Sequence, residues 1–178
     1  MKNIILLFGF CTIFNCYSQN NRVEGLIIKD YGQTFPVSNP DINTDINTTL
    51  KVIFDVSQSS DDKSKPNRYI ITAARFLNMH ANEGMNVDQL KVAMTIHGSA
   101  WQDVLNNESY KKKYGVANPN FKLINQLTEA DVDIIICGQT AAFRKMPKNT
   151  VDPNVKFALS AMTALLQYQN NGYRFIKF

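Results

Sequence analysis

Runs of β-branched and apolar residues of strand length alternate along this chain with stretches whose apolar residues recur at helical spacing. Leu50-Lys51-Val52-Ile53-Phe54-Asp55-Val56 predicts a first strand and Leu90-Lys91-Val92-Ala93-Met94-Thr95-Ile96 a second. Val132-Asp133-Ile134-Ile135-Ile136-Cys137 predicts a third, and its near-continuous Val/Ile character is that of a strand buried on both faces. Between the first two, Ile70, Ile71, Ala74, Leu77 and Ala81 share one helical face, with Pro66 in the first turn and Gly84 at the close. Asn120 is placed to cap a helix that carries Phe121, Ile124 and Leu127. Asp152-Pro153 predicts the start of a long helix with Val155, Ala158, Leu159, Met162, Leu165 and Leu166 turned inward and Gly172 at its end. Tyr173-Arg174-Phe175-Ile176-Lys177-Phe178 then alternates as a final, outer strand.

The order β-α-β-α-β-α-β predicts an α/β fold, a three-layer flavodoxin-like parallel sheet with helices on both faces and right-handed crossovers. In the flavodoxin order the first strand is central, with the second and third on either side of it. This domain occupies residues 50–178. Residues 19–49 are polar and punctuated by Gly25, Gly32, Pro36 and Pro40, and read as an extended arm that lies over the domain or reaches a neighbour. Gly25-Leu26-Ile27-Ile28 and Phe35-Pro36-Val37 within it have the character of short edge strands. Asp41 to Asn47 alternates like a calcium loop, yet the glycine turn and closing glutamate are missing, so a solvated loop is the better reading.

Residues 1–18 have the plan of a signal peptide, with Lys2 ahead of an apolar run from Ile4 to Phe14 and small or polar residues at Cys16-Tyr17-Ser18. That run is short for a membrane span, and Phe10 and Asn15 stand where a lipoprotein signal wants a small residue. Export to a periplasm or secretion is the expectation, with a lipoprotein second. Cleavage would remove Cys11 and Cys16 and leave Cys137 as the lone thiol in an oxidising compartment. The formal charge of +4 is too small a surplus to argue for nucleic acid. Lys111-Lys112-Lys113 reads as a solvated run. Two histidines and one mature cysteine offer no metal-ligand cluster, and no cofactor motif is present. No serine lies between glycines as in a nucleophile elbow.

Candidate chemistry therefore gathers at the carboxyl ends of the strands, where open α/β sheets place their sites. Cys137 ends the third strand, and the amides from Gly138 through Gln139 and Thr140 to Ala141 follow it, so that their partial positive charge favours a thiolate. A buried, inert thiol is the competing reading. His97 ends the second strand, where taken alone it reads as an imidazole satisfied by backbone, and beside Cys137 as a proton handler or a cationic neighbour. Gly98 and Ser99 form a loop able to hold an anion on backbone amides, although it lacks the lysine and length of a phosphate loop. Asp55 ends the first strand on the same rim. His80 lies late in a helix, where the dipole explains it. Arg144 and Lys145 either attract an anionic sulfur species or solvate a loop.

On Lys51-Val52-Ile53-Phe54-Asp55-Val56, Leu90 to Gly98, Ile135-Ile136-Cys137-Gly138-Gln139-Thr140 and the closing segment from Leu165 to Tyr173, the chain resembles the DsrE/DsrF-like family of sulfur-relay proteins. The resemblance implies a flavodoxin-like fold without flavin and a homo-oligomer, trimer or hexamer. It also implies, in the active branch, a strand-end cysteine that carries sulfur as a persulfide, and Cys137 stands where that cysteine would. The export signal and the arm before Leu50 depart from minimal members. The leading expectation is an exported protein in which Cys137 accepts sulfane sulfur from a small sulfur species or a thiol partner protein and passes it on. The alternative is a non-catalytic binding or assembly module on the same fold. A thiol-disulfide enzyme is disfavoured, because the mature chain has no resolving cysteine.

Overall fold

A computed structural model describes residues 21–177. Five strands form one all-parallel sheet: β1 (Leu50–Val56), β2 (Leu90–Ile96), β3 (Asp133–Cys137), β4 (Lys156–Ala158) and β5 (Arg174–Ile176). The helices are α1 (Arg68–Asn82), α2 (Asn107–Tyr114), α3 (Phe121–Glu129), α4 (Gly138–Phe143) and α5 (Ala161–Asn170). The predicted class holds, and β1 and β2 keep their predicted ends. Strand order is β4-β3-β2-β1-β5. The centre is therefore β2 and not β1, which corrects the flavodoxin order expected from the sequence. The correction matters for the site, because β2 now delivers His97 between the ends of β1 and β3.

Alternation along the strands builds two unequal faces. Val52, Phe54, Val56, Val92, Met94, Ile96, Ile134 and Ile136 join Ile70, Ala73, Ala74, Leu77, Leu123, Ile124 and Leu127 in the main core under α1 and α3. The opposite face carries Ile53, Ala93, Thr95, Ile135 and Cys137, all buried. Its cover is α5, which reaches all five strands; the Tyr168 hydroxyl donates to Asp133 on this face.

The long helix expected from Asp152 is a second correction. Asp152 instead closes a turn in which its carboxylate accepts the Asn154 amide at 3.0 Å. The chain then runs as β4 beside β3, and α5 starts only after Ser160, whose hydroxyl accepts the Thr163 amide at 3.0 Å. A three-residue edge strand is too short to leave an alternating pattern, so its apolar residues were absorbed into the helical one. The displaced start also rotates the helix: Ala161 and Ala164 face the sheet, whereas Leu159, Met162 and Leu166 are exposed and not inward.

Helix α1 begins after Asn67, not at Pro66, with the Asn67 side chain accepting the Tyr69 amide at 2.8 Å. It ends in a turn where the Gly84 and Met85 amides return to the carbonyls of Ala81 and His80. Asn120 stands at the head of α3 as expected, but its side chain does not cap that helix; it accepts the Asn67 amide at 2.6 Å.

The described part of the arm, residues 21–49, lies over the domain. Neither expected strand, 25–28 or 35–37, forms; the segment instead has a single bridge between Val23 and Thr34, just outside both. Asn78 on α1 holds the segment: its side chain accepts the amides of Ile27 and Ile28 and donates to the carbonyls of Ile28, Tyr31 and Gly32. Ile28 is thereby buried in the main core. The signal-peptide reading of residues 1–18, and with it the export and lipoprotein expectations, lies outside the described residues. No helix among the described residues is long and apolar enough to cross a membrane.

Candidate functional site

Three neighbouring strands end in polar or reactive side chains: Asp55 at β1, His97 just past β2 and Cys137 at β3. Parallel pairing in register brings these ends to one rim, and their odd-numbered positions put all three on the α5 face. They line one cavity of about 270 Å³ together with Gln139, Ser160, Ala161, Met162 and Leu165. Cys137 is only 6% exposed, so its sulfur reaches solvent through this cavity and not across an open surface.

The surroundings of the sulfur favour its anion despite its burial. Burial pushes the thiol up, but the nearby Thr140 hydroxyl and the backbone N–H groups of Thr140, Ala161 and Gln139 favour the thiolate and outweigh it, holding the thiol below its usual range. These groups come from two elements, the start of α4 and the start of α5. That geometry requires close approach at Gly138, where a Cβ would stand 2.5 Å from the Ala158 carbonyl oxygen of β4.

Asp55 orients the histidine. Its carboxylate accepts from His97 Nε2 at 2.7 Å, from Thr95 Oγ1 at 3.1 Å and from Lys177 Nζ at 3.0 Å. Burial pushes this carboxyl up, and the Lys177, His97 and Thr95 contacts more than offset it, so Asp55 sits below the usual carboxylate range. An ionised carboxylate can only accept. Nε2 is therefore the donor in this contact, and Nδ1 is left out of it.

Of the residues singled out in the sequence, Cys137, His97, Asp55 and Gln139 line the cavity; Thr140 and Gly138 do not line it, Thr140 acting on the thiol and Gly138 permitting the close approach to β4. Gly98 and Ser99 do not join them. Gly98 has φ +54° and a Cβ there would meet the Ser57 carbonyl oxygen at 2.5 Å. The amides of Ser99 and Ala100 donate to that same carbonyl at 2.8 and 3.3 Å, so the expected anion cradle is already engaged in tying two loops together. Ser160, Ala161, Met162, Leu165, Thr95 and Lys177 were not anticipated. The α5 residues were hidden by the misplaced helix start; Thr95, two residues before His97, was legible from strand alternation. Among the described residues no group of histidine, cysteine and carboxylate side chains could hold a metal ion.

A parallel α/β sheet with a thiol, an imidazole and a carboxylate on adjacent strand ends defines the class. The sequence model of the DsrE/DsrF-like family matches residues 51–178, and the chain belongs to that family. No curated protein matches the chain. Among solved structures it is similar to MTH1491, a protein of unknown function from Methanobacterium thermoautotrophicum, at 16% identity and a TM-score of 0.54, covering 72% of this chain and 99% of that one. It is similar too to the ychN protein of E. coli, at 12% identity and a TM-score of 0.52, covering 73% of this chain and all of that one. At such identities the likeness is one of fold. The arm, residues 21–49, lies outside the family match.

Proposed function

We propose that this protein handles sulfur, with Cys137 accepting a sulfane sulfur as a persulfide and passing it on. The observation that carries this reading is the lowered thiol at the floor of a cavity shared with the His97–Asp55 pair. Membership of the DsrE/DsrF-like family supports it. In the step proposed, the Cys137 thiolate attacks the terminal sulfur of a polysulfide or persulfide donor. One S–S bond forms to Sγ, the bond to the donor's next sulfur breaks, and that sulfur leaves as a thiolate with the electron pair. No external oxidant is required. His97 Nδ1 exchanges a proton with the incoming or departing sulfur, and the Gln139, Thr140 and Ala161 amides hold the negative charge on Sγ. The largely apolar wall of Ala161, Met162 and Leu165 suits a soft, weakly hydrated sulfur species better than a small hard anion.

The test is peptide-level mass spectrometry of the native protein after brief exposure to polysulfide and trapping by alkylation. The expected product is a Cys137 peptide heavier by about 32 Da per added sulfur, absent from Cys137→Ser and formed more slowly in His97→Gln. Failure to find any sulfur adduct on Cys137 under these conditions would overturn the reading.

A second reading, a non-catalytic assembly module, is favoured by a different observation. Leu159 in the turn before α5 and Met162 and Leu166 on α5 are exposed apolar side chains, and Phe143 at the end of α4 is exposed as well.

A further inference from the structure

Two basic stretches far apart in sequence, each unremarkable alone, face one another in the fold. Lys112 and Lys113 come from the end of α2, Arg144 and Lys145 from the turn after α4. All four line a pocket of about 410 Å³ whose wall includes Trp101, Met146 and Pro147 and whose single carboxylate is Glu108. None of the four is in an ion pair among the described residues, although six other pairs form there. Lys113 and Arg144 lie instead over the Trp101 ring, at 5.3 and 6.0 Å from its centroid. Like charges gathered on one concave surface repel, and a bound anion relieves that repulsion.

We infer that this pocket is a binding site for a multiply charged oxyanion of the linked-phosphate type. Four cations against one carboxylate match a ligand with three or more negative charges, and a singly charged ligand would leave most of the repulsion in place. Arg144 supplies a planar fork that suits an oxyanion face, and the lysines act as point charges around it. At about 30 Å³ per water-sized group, the pocket holds on the order of a dozen such groups, enough for two or three linked phosphates. The site is separate from the Cys137 cavity, with which it shares no lining residue, and does not rest on the sulfur-handling proposal.

Trp101 is the only tryptophan of the chain, so its fluorescence reports on the pocket directly. Titrating the full-length protein with sodium tripolyphosphate at low salt gives a saturable fluorescence change, and the apparent affinity falls by roughly tenfold or more between about 20 and 200 mM sodium chloride. Lys113→Gln and Arg144→Gln, both at the surface, each weaken binding by roughly three- to tenfold, with unchanged thermal unfolding as the control. Equal binding of ATP and tripolyphosphate supports the site with recognition of the phosphates alone; tighter binding of ATP supports it with an added base contact. The inference is overturned if no saturable change occurs, if sodium chloride at matched ionic strength reproduces the change, or if both variants bind as the native protein does.

Discussion

Thr140 acts on the sulfur of Cys137 through two groups, its hydroxyl and its amide, both of which favour the thiolate. Replacing it by valine keeps the β-branched volume and the amide and removes only the hydroxyl. The thiol then loses one of the contacts that offset its burial, and the pH at which it ionises moves upward. Iodoacetamide alkylation followed against pH is expected to show a Thr140→Val inflection above that of the native protein, with a rate near neutral pH lower by roughly threefold or more. An unchanged inflection would mean that the amides alone set the thiol. The strand-end position of Cys137 was readable from the sequence because a β-branched run ending in Cys-Gly says where a strand stops. Asp55 and His97 were readable as neighbours of that rim, since parallel strands end together. The contribution from α5 was not, because Ala161 acts on the thiol through its backbone amide, which no side-chain pattern announces.

At the scale of elements, the junctions are held by buried polar side chains more than by the capping residues that sequence reasoning looks for. Asn67 caps α1, donates to Asp103 Oδ2 at 2.8 Å and takes its own backbone partner from Asn120 at the head of α3. Ser59 in the loop after β1 donates to Asp103 Oδ1 at 2.8 Å. Asn118 bridges the carbonyls of Asp103 and Leu105. These residues lie in stretches that read as polar loops, where a buried asparagine and a solvated one look alike in sequence. Asp103 is nearly fully buried, and burial pushes its carboxyl up to about 6 against the partial relief of Asn67, Ser59 and Lys63. The folded chain thus holds this proton more firmly than the unfolded one. The stability it contributes is full below the usual carboxyl range and is lost as pH rises through about 6. Asp103→Asn can keep both contacts, its carbonyl accepting from Asn67 and its amide donating to the Ser59 hydroxyl. Urea unfolding at pH 4, 6 and 8 is expected to show the variant losing less stability across that span than the native protein, by up to about 3 kcal/mol. Equal slopes for the two proteins would show that Asp103 does not titrate in this way.

The whole molecule is lopsided, and this asymmetry bears on what the protein does in company. One face of the sheet is closed by α1 and α3, with Ile28 of the arm added to the same core. The other is closed by the ten residues of α5, whose outward side presents Met162 and Leu166 to solvent, with Leu159 of the preceding turn exposed beside them in sequence. Met162 belongs at once to these exposed side chains and to the wall of the Cys137 cavity, so whatever covers them also narrows the approach to the sulfur. Self-association through α5 would set this mouth between subunits, where a thiolate is shielded from bulk oxidants and still open to a small sulfur species. Leu159→Glu combined with Leu166→Glu replaces two of the exposed apolar side chains by charges without touching a residue that lines the cavity. In light scattering the native protein is expected at a multiple of the subunit mass and the double variant at or near the subunit mass. A native protein that runs as a single subunit would remove the assembly reading and leave sulfur handling at Cys137 to be judged on its own. If the variant dissociates and Cys137 alkylates roughly threefold or more faster, assembly and the sulfur site are coupled, and the oligomer governs access to the thiol.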